Sequence, residues 1–156
     1  MDMMQMTVPP ELLPVGRLEL SFDRPLVYET HAGARGFLKA ATGSLKGPRI
    51  DARLADDGGE WLVFRPDGLI ETDARLMLAT ADGGHVYLRS RGLVQATPEA
   101  VAAFREAGGT PADHAFRCSP WFEAQPGPHD WLSRAVFLGV GALSWRGLAI
   151  DIFEVA

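Results

Sequence analysis

The segment WLVFRPDGLIETDARLMLATADGGHVYLRSRG, residues 61–92, decides the fold that we expect for this chain. It reads as three strands joined by two tight turns. The first turn is RPDG at 65–68, in which proline presets φ and glycine takes the left-handed position. The second turn is DGG at 82–84, which is another hairpin signal. The sequence therefore predicts an antiparallel meander of three strands.

The register of this meander decides which side chains each face of the sheet presents. With three-residue loops closed by a glycine bulge, Trp61 faces Asp73 and Ala81 faces His85. Polar and apolar side chains then separate cleanly onto two faces, whereas a slip by one residue would mix them. The polar face carries Trp61, Arg65, Glu71, Asp73, Arg75, Tyr87, Arg89 and Arg91, and the apolar face carries Leu62, Phe64, Ile70, Leu76, Leu78, Val86 and Leu88.

Outside the meander, short strands separated by turn signals fill most of the chain. RLELSF at 17–22 alternates apolar and polar residues, as a half-buried strand does. WLSRAVFLGV at 131–140 and LAIDIFEV at 148–155 read as two closing strands, and DDGG at 56–59 reads as a turn. Many short strands with regular turns favour an all-β sandwich or barrel.

One helix is predicted, over residues 97–108. Thr97 suits its N-cap, Pro98 suits its first turn and Gly108 suits the position after its end. Its apolar stripe includes Phe104, so the helix is expected to cover one end or side of the sheet.

Size and charge place the chain among ordinary globular proteins. Its 156 residues are 47% hydrophobic, which is enough for one domain with its own core. Residues 1–15 are predicted to be a flexible lead-in, and residues 16–156 a single β-domain. The net charge of −5 favours neither nucleic acid nor an anionic membrane as a partner. Since no signal peptide or long apolar run is evident, we expect a cytoplasmic protein.

The polar face of the meander is the main candidate for a functional site. Arginines bind carboxylates and phenolates through a planar fork of donors. Together with Asp73, Glu71, Trp61 and Tyr87, they would form a small-molecule pocket with aromatic walls and a few convergent polar groups. The alternative is that Asp73 and Glu71 form ion pairs with these arginines on a solvent-facing sheet.

No cofactor or metal site is predicted. The four histidines, at 31, 85, 114 and 129, lack the spacing of zinc motifs. Cys118 is the one cysteine, and it is more typical of a buried small side chain than of a nucleophile. No phosphate-binding loop, dinucleotide fingerprint or nucleophile elbow is present.

A set of short motifs runs through most of the chain. They are GPR at 47–49, GEW at 59–61, RPDG at 65–68, DAR at 73–75, DGG at 82–84, YLR at 87–89, RG at 91–92, FR at 116–117, WFE at 121–123, WLSR at 131–134 and IDIFEV at 150–155. Together they resemble the bacterial and fungal family catalogued as domain of unknown function 3237. Glu60 stands where that family usually has Asp, and Ser133 stands where it usually has Asn. If that Asn is a site residue in the family, a different ligand is expected for this protein.

The resemblance implies a closed antiparallel β-barrel, similar to lipocalin-like or allene oxide cyclase-like barrels, with one short helix and often a homodimer. Barrels of this type hold one small ligand in the lumen. Some act without a cofactor as cyclases, isomerases or lyases. We therefore expect an enzyme of that kind, acting on a small, partly aromatic or acidic metabolite. The alternatives are a non-catalytic carrier or sensor, and a structural homo-oligomer with a filled lumen.

In this hypothesis each site residue has a role. Asp73, or Glu71 in its place, would be the general base. Arginines would hold a carboxylate, phenolate or enolate as charge develops, and Tyr87 would donate a proton. Tryptophans would wall the pocket. The predicted catalytic residues are Asp73, Arg75, Tyr87 and Arg89, and the predicted substrate-binding residues are Trp61, Glu71, Arg117, Trp131 and Ser133.

Overall fold

Eight β-strands form a closed antiparallel barrel in the computed structural model, which describes residues 7–107 and 115–156. In chain order the elements are β1 (Leu12–Thr30), β2 (Gly33–Gly47), β3 (Ile50–Phe64), β4 (Leu69–Thr80), β5 (His85–Gln95), α1 (Pro98–Ala107), β6 (Phe116–Ala124), a 3-10 helix (Asp130–Arg134), β7 (Val136–Leu143) and β8 (Gly147–Val155). Each strand pairs with the next one in the chain, and β8 closes the ring by pairing with β1. The expected all-β barrel is confirmed.

The first turn of the meander folds as the sequence predicts. Gly68 adopts a φ of 93°, and Trp61 faces Asp73 across β3 and β4. The apolar residues predicted to share one face are all buried, with 5% or less of their surface exposed. The apolar face therefore points into the barrel, and the polar face forms part of the outer wall.

The second turn begins one residue earlier than the sequence predicts. His85 faces Ala79 instead of Ala81. The Thr80 hydroxyl accepts a hydrogen bond from the amide of Gly84 at 2.8 Å, which closes the loop around residues 81–83. The pairing shifts by two positions, so every side chain keeps its predicted face.

The acidic glycine run at 56–59 is a bulge and not the predicted turn. The pairing of β3 with β4 jumps from Leu54–Leu78 to Gly58–Leu76, while β3 continues without reversing direction. Gly58 adopts a φ of 138°, which side-chain-bearing residues rarely take. An extra stretch on one strand bends that strand and increases its twist, as barrel walls require.

The interior of the barrel holds the hydrophobic core. Leucines from neighbouring strands pack there with phenylalanines, among them Phe122 and Phe137, whose rings meet edge to face with centroids 5.1 Å apart. Leu45, Leu78 and Leu88 have no exposed surface. Within residues 7–107 and 115–156, no helix is both long enough and apolar enough to cross a membrane.

Helix α1 covers the barrel end that carries the β3–β4 turn. It begins at the predicted position, and the Thr97 hydroxyl accepts a hydrogen bond from the amide of Ala100 at 3.1 Å. Phe104 packs on Phe64 of β3, with ring centroids 6.0 Å apart. Gly108, the predicted C-terminal residue, lies outside the described residues.

The segment 131–134 forms the 3-10 helix and not the start of a strand. Leu132 is 1% exposed and packs against the core, while the Ser133 hydroxyl accepts a hydrogen bond from the amide of Ala124 at 2.8 Å. Burial of Leu132 in the core overrides the strand-like sequence pattern, and β7 begins only at Val136.

The ladder between β6 and β7 is the shortest in the ring. Pro120 of β6 has no amide hydrogen to donate, and the 3-10 helix packs against β6 beyond the paired positions. Across the described parts of these two strands, three pairs of residues face each other: Phe116–Gly141, Arg117–Val140 and Cys118–Gly139.

Strand β1 begins at Leu12, inside the segment predicted as a lead-in. Just before it, the amide of Glu11 donates to the carbonyl of Ala156 at 3.2 Å, and the amide of Ala156 donates back at 2.8 Å. Residues 1–6 lie outside the described part of the chain, so the domain boundary at residue 16 stays a prediction.

Candidate functional site

The four predicted catalytic residues lie on the outer wall of the barrel. Asp73 and Arg75 belong to β4, and Tyr87 and Arg89 belong to β5. Each alternates with a buried residue of its own strand, so its side chain points away from the core. They do not border the lumen, where we expected the ligand, because the apolar face of the same strands occupies that side.

Asp73 is engaged by two arginines. Its Oδ2 lies 3.3 Å from a guanidinium nitrogen of Arg89 and 3.7 Å from one of Arg75. Arg75 and Arg89 face each other directly across β4 and β5, and like charges in that position repel. The carboxylate of Asp73 offsets this repulsion. This is the ion-paired arrangement that the sequence left open as the alternative to a pocket.

Two of the predicted substrate-binding residues border an open depression in the barrel wall. The residues that line it include Glu71, Thr72, Arg91, Arg117 and Cys118. Its volume is about 730 Å³. Glu71 pairs with Arg65 at 3.5 Å, and Arg117 donates a hydrogen bond to the carbonyl of Phe116 at 2.9 Å. Both side chains thus have partners within their own wall.

The remaining predicted residues are dispersed. Trp61 packs on Phe37 of β2 on the outside of the barrel, with ring centroids 4.8 Å apart. Trp131 and Ser133 lie in the 3-10 helix, where the guanidinium of Arg49 stacks 3.7 Å from the Trp131 ring centroid. The nine residues predicted as one site therefore do not converge on a common point.

The barrel interior contains a polar cluster that the sequence pattern did not bring to attention. Glu60, Thr72, Ser90 and Cys118, hereafter the interior cluster, come from β3, β4, β5 and β6 respectively. Their exposed fractions are 1%, 3%, 5% and 7%. Four adjacent strands thus each place one polar or sulfur-bearing side chain among the apolar residues of the core.

The strand register brings the interior cluster together in two adjoining rows. In one row Ala74 of β4 faces both Glu60 and Ser90. In the next row Gly92 of β5 faces both Thr72 and Cys118. The residues between the polar groups are alanine and glycine, so no large side chain separates them within the rows.

Several polar atoms of the interior cluster have no partner. Glu60 Oε2, Thr72 Oγ1 and Ser90 Oγ are buried and form no hydrogen bond of ordinary length with the described part of the chain. Thr72 nevertheless lies near enough to Glu60, and Ser90 near enough to Cys118, to lower the pKa of each. Leaving such an atom unpaired costs about 1–3 kcal/mol. Native proteins keep few groups of this kind, and they are often functional.

Burial changes the acidity of the interior cluster. It raises the pKa of Glu60 to about 8; the nearby Thr72 hydroxyl lowers this pKa in part, and the negative charge of Asp73 raises it. At pH 7 Glu60 is therefore mostly a neutral carboxylic acid. Burial also raises the pKa of the Cys118 thiol to about 11, so this sulfur stays protonated and is a poor nucleophile.

A signal for the interior cluster was present in the alternation of the strands. Glu60 has the same parity as Leu62, Thr72 the same as Ile70, and Ser90 follows Leu88 by two positions. Extending the apolar face by one step along each strand therefore puts all three polar residues inside.

The interior cluster can donate a proton or a hydrogen bond. A carboxyl group with a pKa near neutral pH can act as a general acid when protonated and as a general base when ionised. Hydroxyls such as those of Thr72 and Ser90 both donate and accept. Among residues 7–107 and 115–156, no three His, Cys, Asp or Glu side chains are grouped to hold a metal ion.

The sequence also matches a known family over almost its whole length. A profile described as "Protein of unknown function (DUF3237)" covers residues 10–155. The chain belongs to the DUF3237 family. The resemblance noted from the short motifs is confirmed. A UPF0311 protein of Rhodopseudomonas palustris, RPA1785, is 28% identical over 130 residues, which are 81% of this chain and 84% of that protein.

Solved structures share the fold of this DUF3237 chain. The crystal structure of RPA1785 matches with a TM-score of 0.86 and 24% identity, over 96% of this chain and 100% of that one. A β-barrel like protein of Acinetobacter baumannii matches with a TM-score of 0.81 and 23% identity, over 97% of this chain and 100% of that one. An enzyme of Penicillium herquei matches with a TM-score of 0.73 and 15% identity, over 99% of this chain and 100% of that one. At these identities the likeness shows the fold alone.

Proposed function

We propose that this protein is a cofactor-independent enzyme of the lyase, isomerase or cyclase type, which moves protons on a small, partly aromatic molecule held inside the barrel. The observation that carries this proposal is the buried carboxyl of Glu60 within the interior cluster, whose Oε2 has no hydrogen-bond partner of ordinary length. These three reaction types share a proton-transfer step, which one positioned carboxyl group can catalyse without a cofactor.

Glu60 takes the acid–base role that the sequence assigned to Asp73. Asp73 lies on the outer wall, where Arg75 and Arg89 hold its Oδ2 while its Oδ1 has no hydrogen-bond partner. Glu60 faces the interior, where water is scarce and a carboxyl group keeps its proton near neutral pH. Thr72 and Ser90 would orient the substrate through their hydroxyls.

The fold is compatible with this proposal. Eight-stranded barrels have an interior that side chains fill or that holds one small ligand. The barrel of Penicillium herquei that shares this fold is described as an enzyme. Fold likeness is an analogy, so the proposal rests on Glu60 and its neighbours.

Proton exchange at carbon tests the proposal for all three reaction types at once. A panel of aromatic ketones is incubated with the protein in D₂O, and deuterium uptake next to the carbonyl is followed by NMR. We expect the wild type to accelerate exchange of at least one compound and Glu60→Gln to lose about 100-fold or more of that acceleration. Asp73→Asn, a matched change on the outer wall, should retain it. Equal exchange rates for wild type and Glu60→Gln would refute the catalytic role.

A non-catalytic carrier is the second candidate. The buried hydroxyls of Thr72 and Ser90 favour it, because binding requires hydrogen-bond donors but no acid or base. The two candidates differ in one outcome. A carrier binds a ketone from the panel and releases it without deuterium, whereas the enzyme releases it labelled.

We also propose a homodimer. Large apolar side chains are exposed on neighbouring outer strands, with Trp121 at 60%, Val136 at 56% and Leu138 at 40%. Exposed apolar surface of this kind is typical of protein–protein contacts. Light scattering on the eluting peak of a gel-filtration column should give twice the mass of the chain, and Trp121→Lys should give the monomer.

A further inference from the structure

We infer that the open depression between β4, β5 and β6, hereafter the wall depression, binds a small carboxylic acid with an apolar body, whose carboxylate is held by Arg91 and Arg117. This inference goes beyond the proposed function, because binding in the wall depression requires neither space inside the barrel nor catalysis by Glu60. It keeps the acidic ligand that the sequence led us to expect and assigns it to a different pair of arginines.

The wall depression has the size and mixed chemistry of a small-molecule site. Its volume of about 730 Å³ lies within the roughly 300–1,000 Å³ that such sites occupy. Its lining comes mainly from residues 71–72 of β4, 91–93 of β5 and 117–119 of β6. Leu93 is 40% exposed and provides an apolar surface beside the charged groups. A molecule with both an apolar body and a charged group therefore suits this lining.

The strand register sets the two arginines of the lining beside each other. Arg91 faces Ser119 across β5 and β6, and Arg117 faces Leu93 in the next outward-facing row. Both arginines are exposed on the outer face. Diagonal neighbours of this kind lie about 7–8 Å apart, which is within reach of long side chains. Two guanidinium groups at this separation can bind one carboxylate together.

The charges of both arginines remain available to a ligand. Asp73 faces Arg91 across β4 and β5, but two other arginines hold its Oδ2. Arg117 donates to the carbonyl of Phe116, which carries no net charge. Neither Arg91 nor Arg117 forms an ion pair with any residue in the ranges 7–107 and 115–156. A carboxylate between them would relieve the repulsion of two like charges and accept charge-assisted hydrogen bonds from both.

The acidic side chain of the lining does not cancel this preference for an anion. Glu71 lies 3.5 Å from a guanidinium nitrogen of Arg65, which offsets its negative charge. The lining itself contains two arginines and this one carboxylate, so it keeps an excess of positive charge. Arginine is also the side chain whose planar fork of donors best matches a carboxylate.

Aromatic acids and their methyl esters test this site. Benzoate, phenylacetate and cinnamate, each paired with its ester, are titrated at pH 7 into isotope-labelled protein, and amide chemical shifts are followed by NMR. We expect at least one acid to bind with a Kd on the order of 1 mM or tighter, to shift amides of β5 and β6, and to bind about tenfold more tightly than its ester.

Substitutions in the lining separate the roles of charge and apolar surface. Arg91→Gln and Arg117→Gln should each weaken acid binding about tenfold, and Arg91→Lys should recover part of the loss. Arg17→Gln, which removes an exposed arginine of β1 outside the wall depression, should leave the Kd unchanged. Leu93→Ser should weaken cinnamate binding more than acetate binding. Thermal unfolding verifies that each variant is folded.

Four results would each overturn the inference. Esters that bind as tightly as their acids would show that charge is not recognised. A Kd unchanged in both Arg91→Gln and Arg117→Gln would place the acid elsewhere, and a loss just as large in Arg17→Gln would reduce the effect to net charge. If no acid of the panel binds with a Kd below about 10 mM, the wall depression is not an anion site.

Discussion

Glu60 and Trp61 are neighbours in the chain, yet their side chains lie on opposite sides of the barrel wall. Glu60 is 1% exposed, and Trp61 is 45% exposed. The cause is the period of two in a β-strand, which sends successive side chains to opposite faces. A slip of one residue in β3 would exchange a carboxyl group and an indole between interior and surface. The register of this strand therefore determines whether the barrel contains an acid.

The raised pKa of Glu60 predicts how stability depends on pH. The ordinary pKa is 4.5 and the folded value is about 8, so between these values the folded state holds a proton that the unfolded state has released. The free energy of unfolding should therefore fall as pH rises from about 4.5 to 8, by at most about 1.4 kcal/mol per pH unit, and level off above pH 8. Urea denaturation at a series of pH values measures this slope.

Glu60→Gln removes the titrating group and should flatten that slope. The amide is uncharged at every pH, so the variant should exceed the wild type in stability at pH 9 by a few kcal/mol. Asp73→Asn should keep the slope at low pH and level off at a lower pH than the wild type, because the charge that helps to raise the Glu60 pKa is gone. A slope that survives Glu60→Gln would mean that another group titrates.

The ion pairs of Asp73 predict a small effect on stability. Exposed ion pairs contribute about 0–1 kcal/mol, and Asp73 lies on the outer wall with 28% of its side chain exposed. Asp73→Asn should therefore cost about 1 kcal/mol or less in urea denaturation, with part of the loss due to the repulsion between Arg75 and Arg89. Removing Arg89 as well, by Arg89→Gln, should recover some of it. If Asp73→Asn lost the catalysed proton exchange, the catalytic site would lie on the outer wall, at Asp73, and not at Glu60.

Two glycines with positive φ should differ in their tolerance of alanine. At Gly58 a Cβ atom would collide with the backbone carbonyl of Arg75, whereas at Gly83 it would meet nothing within 4 Å. Gly83→Ala should cost about 1–2 kcal/mol for backbone strain alone. Gly58→Ala should cost more, because β3 or β4 must also move. Equal losses in thermal or urea unfolding would show that the bulge adapts freely.

The N-cap of α1 predicts the stability of one barrel end. Thr97→Ala removes the hydroxyl that accepts the amide hydrogen of Ala100, and such changes cost about 0.5–2 kcal/mol. Thr97→Ser keeps the acceptor and should cost less. If urea denaturation shows the two variants to be equally stable, the capping bond contributes nothing.

The sequence predicted the faces of the meander well because alternation is local. The error at the second turn left the predicted faces correct. Moving the partner of His85 from Ala81 to Ala79 shifts the pairing by two positions, so every side chain stays on the same face. The bulge at 56–59 was not predictable in this way. The same residues favour a turn in isolation. Pairing of β3 with its neighbours on either side of the run, up to Leu54 and again from Gly58, keeps the strand continuous.

The candidate site was harder to predict than the fold. The arginines around Asp73 drew attention because charged residues on one face resemble a pocket, but the sequence does not say which face a barrel closes over. Burial of the apolar face decides that. Glu60 and Thr72 looked like minor interruptions of an apolar pattern, and their importance follows only from being buried without partners.

The short ladder between β6 and β7 has a consequence for the motions of the wall. Backbone amides exchange their hydrogens with solvent through local openings, and these openings occur where few interactions must break. A ring of hydrogen-bonded strands opens most readily at its least paired joint, which here spans three residue pairs. We expect deuterium to enter β7 near Leu138 before it enters β4.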